Sequence, residues 1–356
     1  MKIEIFTPPK FKRKPLNLEK LDYTTGKKWI YASNGKSAIY HILKDLNVDK
    51  ILIPVYICSS VLVPLRELNI KPIFYDLDID DLNPSIESIK KLSKKYDVSA
   101  VLVASMYGNP ANLTEIEQYC KENNLFMVDD AAQSFGAKLN NRYIGTFGNA
   151  GFFSFSPGKP TTGHMGSFFW SNNSIVIKRE KQCLLHHIKW INFYFNRYKI
   201  YESNFCTKKF LSFVDRVINK LFSFWNDDIC EFEKDILGGI LESNFSDEYA
   251  FRNKYIEEFC MTFKDSKYFR VLYPLRGKAN GHKIVLIFQE KSIAKRLIAF
   301  LNKNSIYASN GYKLLEYNID VSNAKLIEHK VVELPIEESR EKMDYLFKKV
   351  KEFEDS

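Results

Sequence analysis

An α/β fold is predicted by the order and character of the apolar segments in this 356-residue chain. Short apolar runs alternate with amphipathic stretches through the first half of the sequence. The runs carry β-branched or aromatic residues on both faces, which indicates strands that are covered on both sides. Such strands, separated by helices, are typical of a mostly parallel sheet with helices on both of its faces.

The individual elements follow from the same pattern. The predicted strands lie at residues 50–54, 72–76, 100–105, 125–129, 151–156 and 166–171. Helical periodicity occurs between them, at residues 37–46, 59–68, 85–95 and 113–123. A further short strand, WIYAS, precedes the first helix.

Three regions of the chain are expected on the basis of composition. Residues 1–20 are predicted to form an N-terminal arm, residues 21–248 a large domain and residues 249–356 a small α+β domain. The large domain is expected to carry a helical insertion at about 175–225, which is aromatic and basic. That insertion is interpreted as packing on the body or on a second subunit, and a membrane surface or an acidic partner stays open.

The overall composition indicates a globular protein without a transmembrane segment. The formal net charge of +9 is spread along the chain, so nucleic-acid binding is not predicted. The richest apolar run, residues 51–65, is interrupted by two prolines and two serines, and the N-terminus lacks the apolar core of a signal peptide. The six cysteines form no CxxC pair and have no zinc-ligand spacing, which predicts reduced thiols, a cytoplasmic location and no metal site.

A glycine turn at the start of the first helix is the first candidate binding element. Asn34, Gly35, Lys36 and Ser37 follow the strand WIYAS directly. A P-loop would require a glycine where Ile30 stands, so a nucleoside triphosphatase is not favoured. A glycine at a helix N-terminus nevertheless exposes backbone amides that suit one phosphate group.

Two further positions suggest chemistry. Asp129 and Asp130 stand at the carboxyl end of a predicted strand, and because side chains alternate along a strand only one of them can face a site there. Lys159 lies in a loop of Pro, Gly and Thr between two apolar strands, where desolvation lowers an ammonium pKa and favours imine chemistry. A phosphate site, one carboxylate and a reactive amine together match pyridoxal phosphate.

Several segments resemble the DegT/DnrJ/EryC1/StrS family, the sugar aminotransferases of the fold-type I pyridoxal-phosphate enzymes. The resemblance covers roughly residues 30 to 350 and is strongest where DAAQ, at 130–133, is followed by FSF-x-x-x-K, at 153–159. YG-x-PA at 107–111 and KVVELPI at 330–336 also resemble family segments. The resemblance implies a homodimer with active sites at the subunit interface.

Site roles are carried over from that resemblance residue by residue. Lys159 would form the Schiff base with the cofactor and move the proton, and Asp130 would pair with the pyridine nitrogen. The other cofactor-binding positions implied are Gln133 at the ring oxygen, Ser154 and the amides near Gly35, Lys36 and Ser37 at the phosphate, and Asn226 from the partner subunit. Cys58 stands where the family has an aromatic that stacks on the ring, and Tyr56 is the nearest aromatic residue.

The resemblance implies transfer of an amino group, with L-glutamate as the expected donor, to a keto group of a nucleotide-activated sugar for surface polysaccharide synthesis. Two alternatives stay open because the substrate-side segments depart from the family pattern. One is a smaller keto or amino substrate, and the other is a family member with a binding or assembly role. A dehydratase of this family has histidine in place of the lysine, whereas Lys159 is present here.

Overall fold

The structure is a computed structural model. It describes residues 3, 14–18, 26–44, 46–156, 158–161, 166–173, 175, 231–241, 245–316 and 321–356. Asn226 and almost all of the expected insertion at 175–225 lie outside the described residues, as does most of the expected N-terminal arm.

A seven-stranded sheet forms the first layer of the fold, in the order β1-β9-β8-β5-β4-β2-β3. Strand β9 runs antiparallel to both of its neighbours, and the remaining pairs are parallel. The carboxyl ends of β1, β8, β5, β4, β2 and β3 therefore meet at one edge. The strands are β1 (Ile30–Ala32), β2 (Lys50–Pro54), β3 (Lys71–Tyr75), β4 (Ala100–Ala104), β5 (Phe126–Asp130), β8 (Ala150–Ser154) and β9 (Ser167–Ser171).

Both faces of this sheet are covered, as the sequence predicts. In the central strand β4, Leu102 belongs to one apolar core, whereas Val101 and Val103 belong to the core on the opposite face. All three side chains are essentially inaccessible to solvent. The helices of this part of the chain are α1 (Gly35–Leu43), α2 (Leu62–Glu67), α3 (Ile86–Tyr96) and α4 (Leu113–Glu122).

A four-stranded antiparallel sheet forms the second unit, in the order β10-β11-β13-β12. Its strands are β10 (Phe269–Val271), β11 (Ile284–Phe288), β12 (Ser309–Asn310) and β13 (Val331–Leu334). A separate two-stranded hairpin consists of β6 (Lys138–Leu139) and β7 (Arg142–Tyr143). The remaining helices are α5 (Glu231–Leu241), α6 (Phe245–Thr262), α7 (Lys291–Lys303), α8 (Ser322–Ile327) and α9 (Arg340–Glu354).

The smaller sheet packs against helices of its own unit on one face and against the unit of the large sheet on the other. Ile284, Leu286 and Phe288 of β11 belong to a core shared with α6, α7 and α9. The alternate residues Val285 and Ile287 belong instead to the core beside the large sheet. The smaller sheet therefore has apolar residues on both faces, and one face is docked against the unit of the large sheet.

Helix α6 connects the two units. Tyr249 near its start is buried in a core of the large sheet, whereas Tyr255 and Phe259 are buried in the core of the smaller sheet. The predicted domain boundary at residues 248 and 249 falls inside this helix. The division of the chain at that position stays a prediction.

The predicted strands of the large sheet are confirmed, with ends that differ by one or two residues. The largest local difference concerns residues 59–68, where a 3-10 turn over Ser59–Val61 precedes helix α2. Strand β5 reaches Asp130 rather than ending at Asp129, because Asp130 still pairs with Ala104 and Phe152. Within the described residues, no helix combines the length and apolar character that crossing a bilayer requires.

Candidate active site

A cavity of about 580 Å³ opens at the carboxyl edge of the large sheet, where the smaller sheet approaches it. Edges of this kind, outside the carboxyl ends of parallel strands, are the usual ligand sites of α/β proteins. Residues from the start of α1, the end of β5, the Lys159 loop and the smaller sheet all line it. Those that carry polar groups include Asn34, Lys36, Cys58, Asp130, Gln133, Ser154, Lys159, Lys283, Tyr312 and Glu333.

The first turn of α1 forms one end of the cavity. Gly35 and Lys36 line the cavity, and Asn34 caps the helix by accepting a hydrogen bond from the Ser37 amide at 3.1 Å. Burial lowers the pKa of the Lys36 ammonium. Ser37 is not among the lining residues, and its hydroxyl is buried without a hydrogen-bond partner within the described residues. The structure therefore places Gly35 and Lys36 at the cavity, whereas Ser37 is not among its lining residues.

The two aspartates at the end of β5 face opposite sides of the sheet, as alternation predicts. Asp129 lies away from the cavity, where its Oδ2 accepts hydrogen bonds from the amides of Gly145 at 2.6 Å and Phe147 at 3.0 Å. Asp130 lines the cavity and accepts a hydrogen bond from the amide of Ala132 at 2.9 Å. Asp129 therefore fixes the loop behind β5, and Asp130 is the carboxylate available to a ligand.

Asp130 and Lys159 influence each other across the cavity. Burial raises the pKa of the Asp130 carboxyl to about 6, and the nearby Lys159 opposes that rise. Burial lowers the pKa of the Lys159 ammonium, with Asp130 acting in the opposite direction. The cavity thus contains a buried acid and a buried amine whose charged states are both disfavoured by desolvation.

Gln133 is held by two neighbouring loops. Its Oε1 accepts a hydrogen bond from the amide of Tyr107 at 3.0 Å, and its Nε2 donates to the hydroxyl of Tyr312 at 3.3 Å. Asn280 secures the same loop by donating from Nδ2 to the carbonyls of Gln133 at 2.9 Å and Phe135 at 3.0 Å. The orientation of Gln133 therefore depends on residues of both units.

Two other predicted residues occupy different positions relative to the cavity. Cys58 lines it, with its Sγ 3.1 Å from the hydroxyl of Ser60. Tyr56 is almost fully buried, is not among the lining residues, and has its hydroxyl 2.7 Å from that of Tyr107. Tyr56 therefore lies behind the wall of the cavity rather than in it, because its ring is enclosed by the docked smaller unit.

Ser154 and Lys159 come from the segment FSFSPGK. The Ser154 hydroxyl lines the cavity and donates to the hydroxyl of Ser156 at 3.3 Å. The Lys159 amide donates to the carbonyl of Ser156 at 3.2 Å. Of the predicted site residues, Gly35, Lys36, Cys58, Asp130, Gln133, Ser154 and Lys159 meet at this cavity, whereas Ser37 and Tyr56 do not line it and Asn226 lies outside the described residues.

Sequence analysis did not identify three residues of the cavity wall, namely Lys283, Tyr312 and Glu333. Lys283 forms an ion pair with Glu333, and Tyr107 donates a hydrogen bond to Glu333 Oε1 at 3.1 Å. The sequence signal for Lys283 and Glu333 was a charged residue within or beside an apolar strand, in HKIVLIF and in KVVELPI respectively. Burial of a charge in such a strand indicates a partner.

More than half of the chain matches the sequence profile of one protein family. The profile of the DegT/DnrJ/EryC1/StrS aminotransferase family matches residues 16–201, more than half of the chain. The chain belongs to this family. The resemblance drawn from DAAQ and FSF-x-x-x-K is thereby confirmed.

Curated relatives and solved structures place the chain among similar proteins. A GDP-perosamine synthase from Vibrio cholerae is 27% identical over 151 residues, which is 41% of this chain and 41% of that protein. A GDP-4-keto-6-deoxy-D-mannose 3-dehydratase from Escherichia coli O55:H7 is 35% identical over 106 residues, which is 30% of this chain and 27% of that protein. The chain thus spans about two fifths or less of the length of these relatives.

A solved structure matches over most of its length. The crystal structure of GDP-4-keto-6-deoxymannose-3-dehydratase with a trapped PLP-glutamate geminal diamine has a TM-score of 0.70 and 22% identity to this chain. The alignment covers 94% of this chain and 93% of that chain. Together with the seven-stranded sheet, this likeness confirms the predicted fold-type I architecture.

The position of Asp129 leads to a prediction about stability and pH. Burial raises the pKa of its carboxyl to about 7, so between about pH 4 and pH 7 the native state binds a proton that the unfolded state has lost. The free energy of unfolding should therefore fall as the pH rises through this window, by at most about 1.4 kcal/mol per pH unit. Asp129→Asn, which cannot ionise, should remove this fall.

Urea denaturation of both proteins at several pH values between 5 and 8 measures the effect. Asp130→Asn is the matched control. Because the pKa of the Asp130 carboxyl is about 6, this group contributes little to the pH dependence of the free energy of unfolding above pH 6. A wild-type slope between pH 6 and pH 7 that persists in Asp129→Asn would show that Asp129 is not the titrating group.

Proposed function

We propose that this chain is a pyridoxal-phosphate-dependent aminotransferase. It transfers an amino group, with L-glutamate as the expected donor, to a keto group of a nucleotide-activated sugar used for surface polysaccharide synthesis. The observation that carries the proposal is the meeting of Lys159, Asp130 and the start of α1 in one cavity. Membership of the family and the likeness to a GDP-perosamine synthase and a GDP-4-keto-6-deoxy-D-mannose 3-dehydratase support the substrate class.

The residues present fit the cofactor. Asp130 is a buried carboxyl group whose pKa is raised to about 6, so a cationic ring nitrogen beside it would supply the missing charge partner. Lys159 offers an amine to an aldehyde, and the N-terminal turn at Gly35 and Lys36 offers a positive site to a phosphate. The volume of about 580 Å³ is in the range of small-molecule sites.

The contribution of each residue follows from its position. Bound pyridoxal phosphate supplies an electron-withdrawing ring that stabilises negative charge on the carbon being deprotonated. Asp130 holds the ring nitrogen in its protonated form, because a buried carboxylate gains most from a cation in contact. Lys159 binds the cofactor and, once released, accepts and returns the proton, since burial lowers the pKa of its ammonium and leaves it a competent base.

Gln133 and Ser154 have orienting roles in this proposal. The Gln133 amide is fixed by Tyr107 and Tyr312, so it can direct Nε2 toward an oxygen on the cofactor ring. The Ser154 hydroxyl faces the same end of the cavity as Gly35, whose backbone is close to it: a Cβ built on Gly35 would lie 3.5 Å from Ser154 Oγ. These groups exclude water and restrict the ligand to one orientation.

A homodimer and a cytoplasmic location complete the proposal. The homodimer rests on the resemblance to fold-type I enzymes and on Asn226, which would contact the partner's phosphate. The cytoplasmic location rests on the sequence, and the described cysteines Cys58, Cys120 and Cys260 are free thiols, as a reducing compartment requires.

The assignment of Lys159 is tested by trapping. The purified protein should be yellow, and borohydride should attach the cofactor covalently to the peptide that contains Lys159. Lys159→Ala should abolish this attachment, because among the described residues Lys159 is the amine whose charge acts on Asp130. Lys36→Ala and Lys283→Met, which each remove one of the two other lysines of the described cavity wall, should still yield the labelled Lys159 peptide. Labelling on a different lysine in the wild-type protein would contradict the assignment.

The role of Asp130 is tested by Asp130→Asn. An amide cannot hold the ring nitrogen protonated, so the rate of transamination should fall by ~10² or more while the cofactor stays bound. The measurement is the single-turnover rate with glutamate, with cofactor content checked by borohydride trapping. Asp129→Asn is the matched control, since Asp129 lies away from the cavity, and a larger loss of rate in that variant would reverse the assignment of the two faces.

The oligomeric state provides a third test. Light scattering in detergent-free buffer should give about twice the chain mass, independent of lipid, because fold-type I sites are composed at a subunit boundary. Asn226→Ala should then weaken cofactor binding without changing the mass. A stable monomer that binds anionic vesicles and is released by salt would contradict the dimer and the role of Asn226.

A further inference from the structure

The ion pair between Lys283 and Glu333 lies in the wall of the cavity. Glu333 is opposite Val285 in the register of β13 and β11, so Lys283, two residues before Val285, is the diagonal neighbour of Glu333 on the same face. Side chains in this relation are within reach of each other when they are long. The Lys283 side chain is 13% exposed and that of Glu333 is 9% exposed.

The central part of that sheet face is apolar, and Arg270 and Ser309 lie on the same face in the two edge strands. Val285, Ile287 and Val331 pack into the core beside the large sheet. An ion pair in such a face loses hydration on both partners, and apolar residues of similar volume would usually stabilise the fold as well or better. The pair occurs only where the face reaches the cavity, next to Tyr312 and Lys159. This placement indicates a ligand rather than a purely structural role.

The side chain of Glu333 has more hydrogen-bond support than that of Lys283. Glu333 Oε1 accepts a hydrogen bond from the Tyr107 hydroxyl at 3.1 Å, and that hydroxyl is 2.7 Å from the hydroxyl of Tyr56. The Tyr56 hydroxyl in turn accepts a hydrogen bond from the Tyr312 amide at 3.2 Å. Glu333 is therefore anchored, whereas Lys283 has a flexible stem and three donors, of which Glu333 takes one.

Lys283 is also near the reacting amine. Its charge contributes to the lowered pKa of the Lys159 ammonium, so the two amines share one part of the cavity. Lys36, the other cation of the wall, belongs to the phosphate end at the start of α1, where its electrostatic neighbour is Cys58. A ligand whose reacting atom meets Lys159 would thus have Lys283 as a cation on the side of the smaller sheet.

We propose that Lys283 binds the carboxylate of the amino donor, and that Glu333 takes Lys283 back when the donor has left. The inference rests on the proposed function, which requires two substrates of different charge at one place. The donor carries a carboxylate next to its amine, whereas the keto-bearing ring of a sugar is uncharged. Because its ammonium has three donors, Lys283 can bind the donor carboxylate while Glu333 stays within its reach, and it remains paired with Glu333 when the uncharged ring occupies the site.

Calorimetric binding of glutarate to the cofactor-loaded protein tests this inference, because glutarate has the carboxylates of the donor and no reacting amine. Lys283→Met should raise the dissociation constant about tenfold or more, the loss expected for one charge-assisted hydrogen bond. Glu333→Gln should lower it, since the competing carboxylate is gone. Lys295→Met, the same change at an exposed position on α7, should have no effect.

A double variant distinguishes loss of the carboxylate site from loss of folding. Lys283→Met combined with Glu333→Gln leaves no unpaired charge behind and should weaken glutarate binding as the single variant does. Glutarate affinity equal to wild type in either Lys283 variant, or no glutarate binding by the wild-type protein, would overturn the inference.

Transamination measured in parallel separates this inference from the proposed function. A wild-type protein that transfers no amino group but binds glutarate through Lys283 would refute the aminotransferase and leave the carboxylate site standing. If the wild-type protein transaminates glutamate while Lys283→Met binds glutarate with wild-type affinity, the aminotransferase stands and the role of Lys283 is refuted.

Discussion

Asp129 and Asp130 occupy consecutive positions at the carboxyl end of β5, and the opposite directions of their side chains organise the site. Asp129 accepts the amides of Gly145 and Phe147 and so fixes the loop that leads into β8. Strand β8 in turn carries Ser154 and leads to Lys159. Asp130 is thereby left to face the cavity. A one-residue slip toward the carboxyl end would place Ala131 at the position that faces the cavity and turn Asp130 to the opposite face.

Closure of the cavity depends on contacts between the two sheet units. Gly108 has a positive φ of 80°, and a Cβ there would lie 1.8 Å from Oδ1 of Asn280. Only glycine permits this approach, through which Asn280 reaches the carbonyls of Gln133 and Phe135. The site is therefore assembled from segments that are almost 150 residues apart in the chain. These contacts between segments far apart in sequence couple the orientation of Gln133 to the docking of the smaller sheet.

Most of the large sheet was predictable because its strands are short, apolar on both faces and bounded by clear turn residues. Helix α7 has the sequence KSIAKRLIAFLNK, in which buried Ala294, Leu297 and Leu301 recur at helical spacing. The site was predictable where residues are close in sequence, as in DAAQ and FSFSPGK. The role of Tyr56 stays a prediction, and its position behind the cavity wall could not be predicted because it depends on contacts with Tyr107 and with Tyr312 of the smaller unit.

The sequence by itself determined the fold class and the family, since hydrophobic periodicity and local motifs are encoded over short stretches of chain. It also determined that Asp129 and Asp130 would face opposite sides, because alternation is a property of any strand. Only the tertiary structure decided which face of β5 meets the cavity and that Lys283 and Glu333 form its far wall. Those relations arise from the register of β11 with β13 and from the docking of one sheet on another, and neither is recorded in the spacing of residues along the chain.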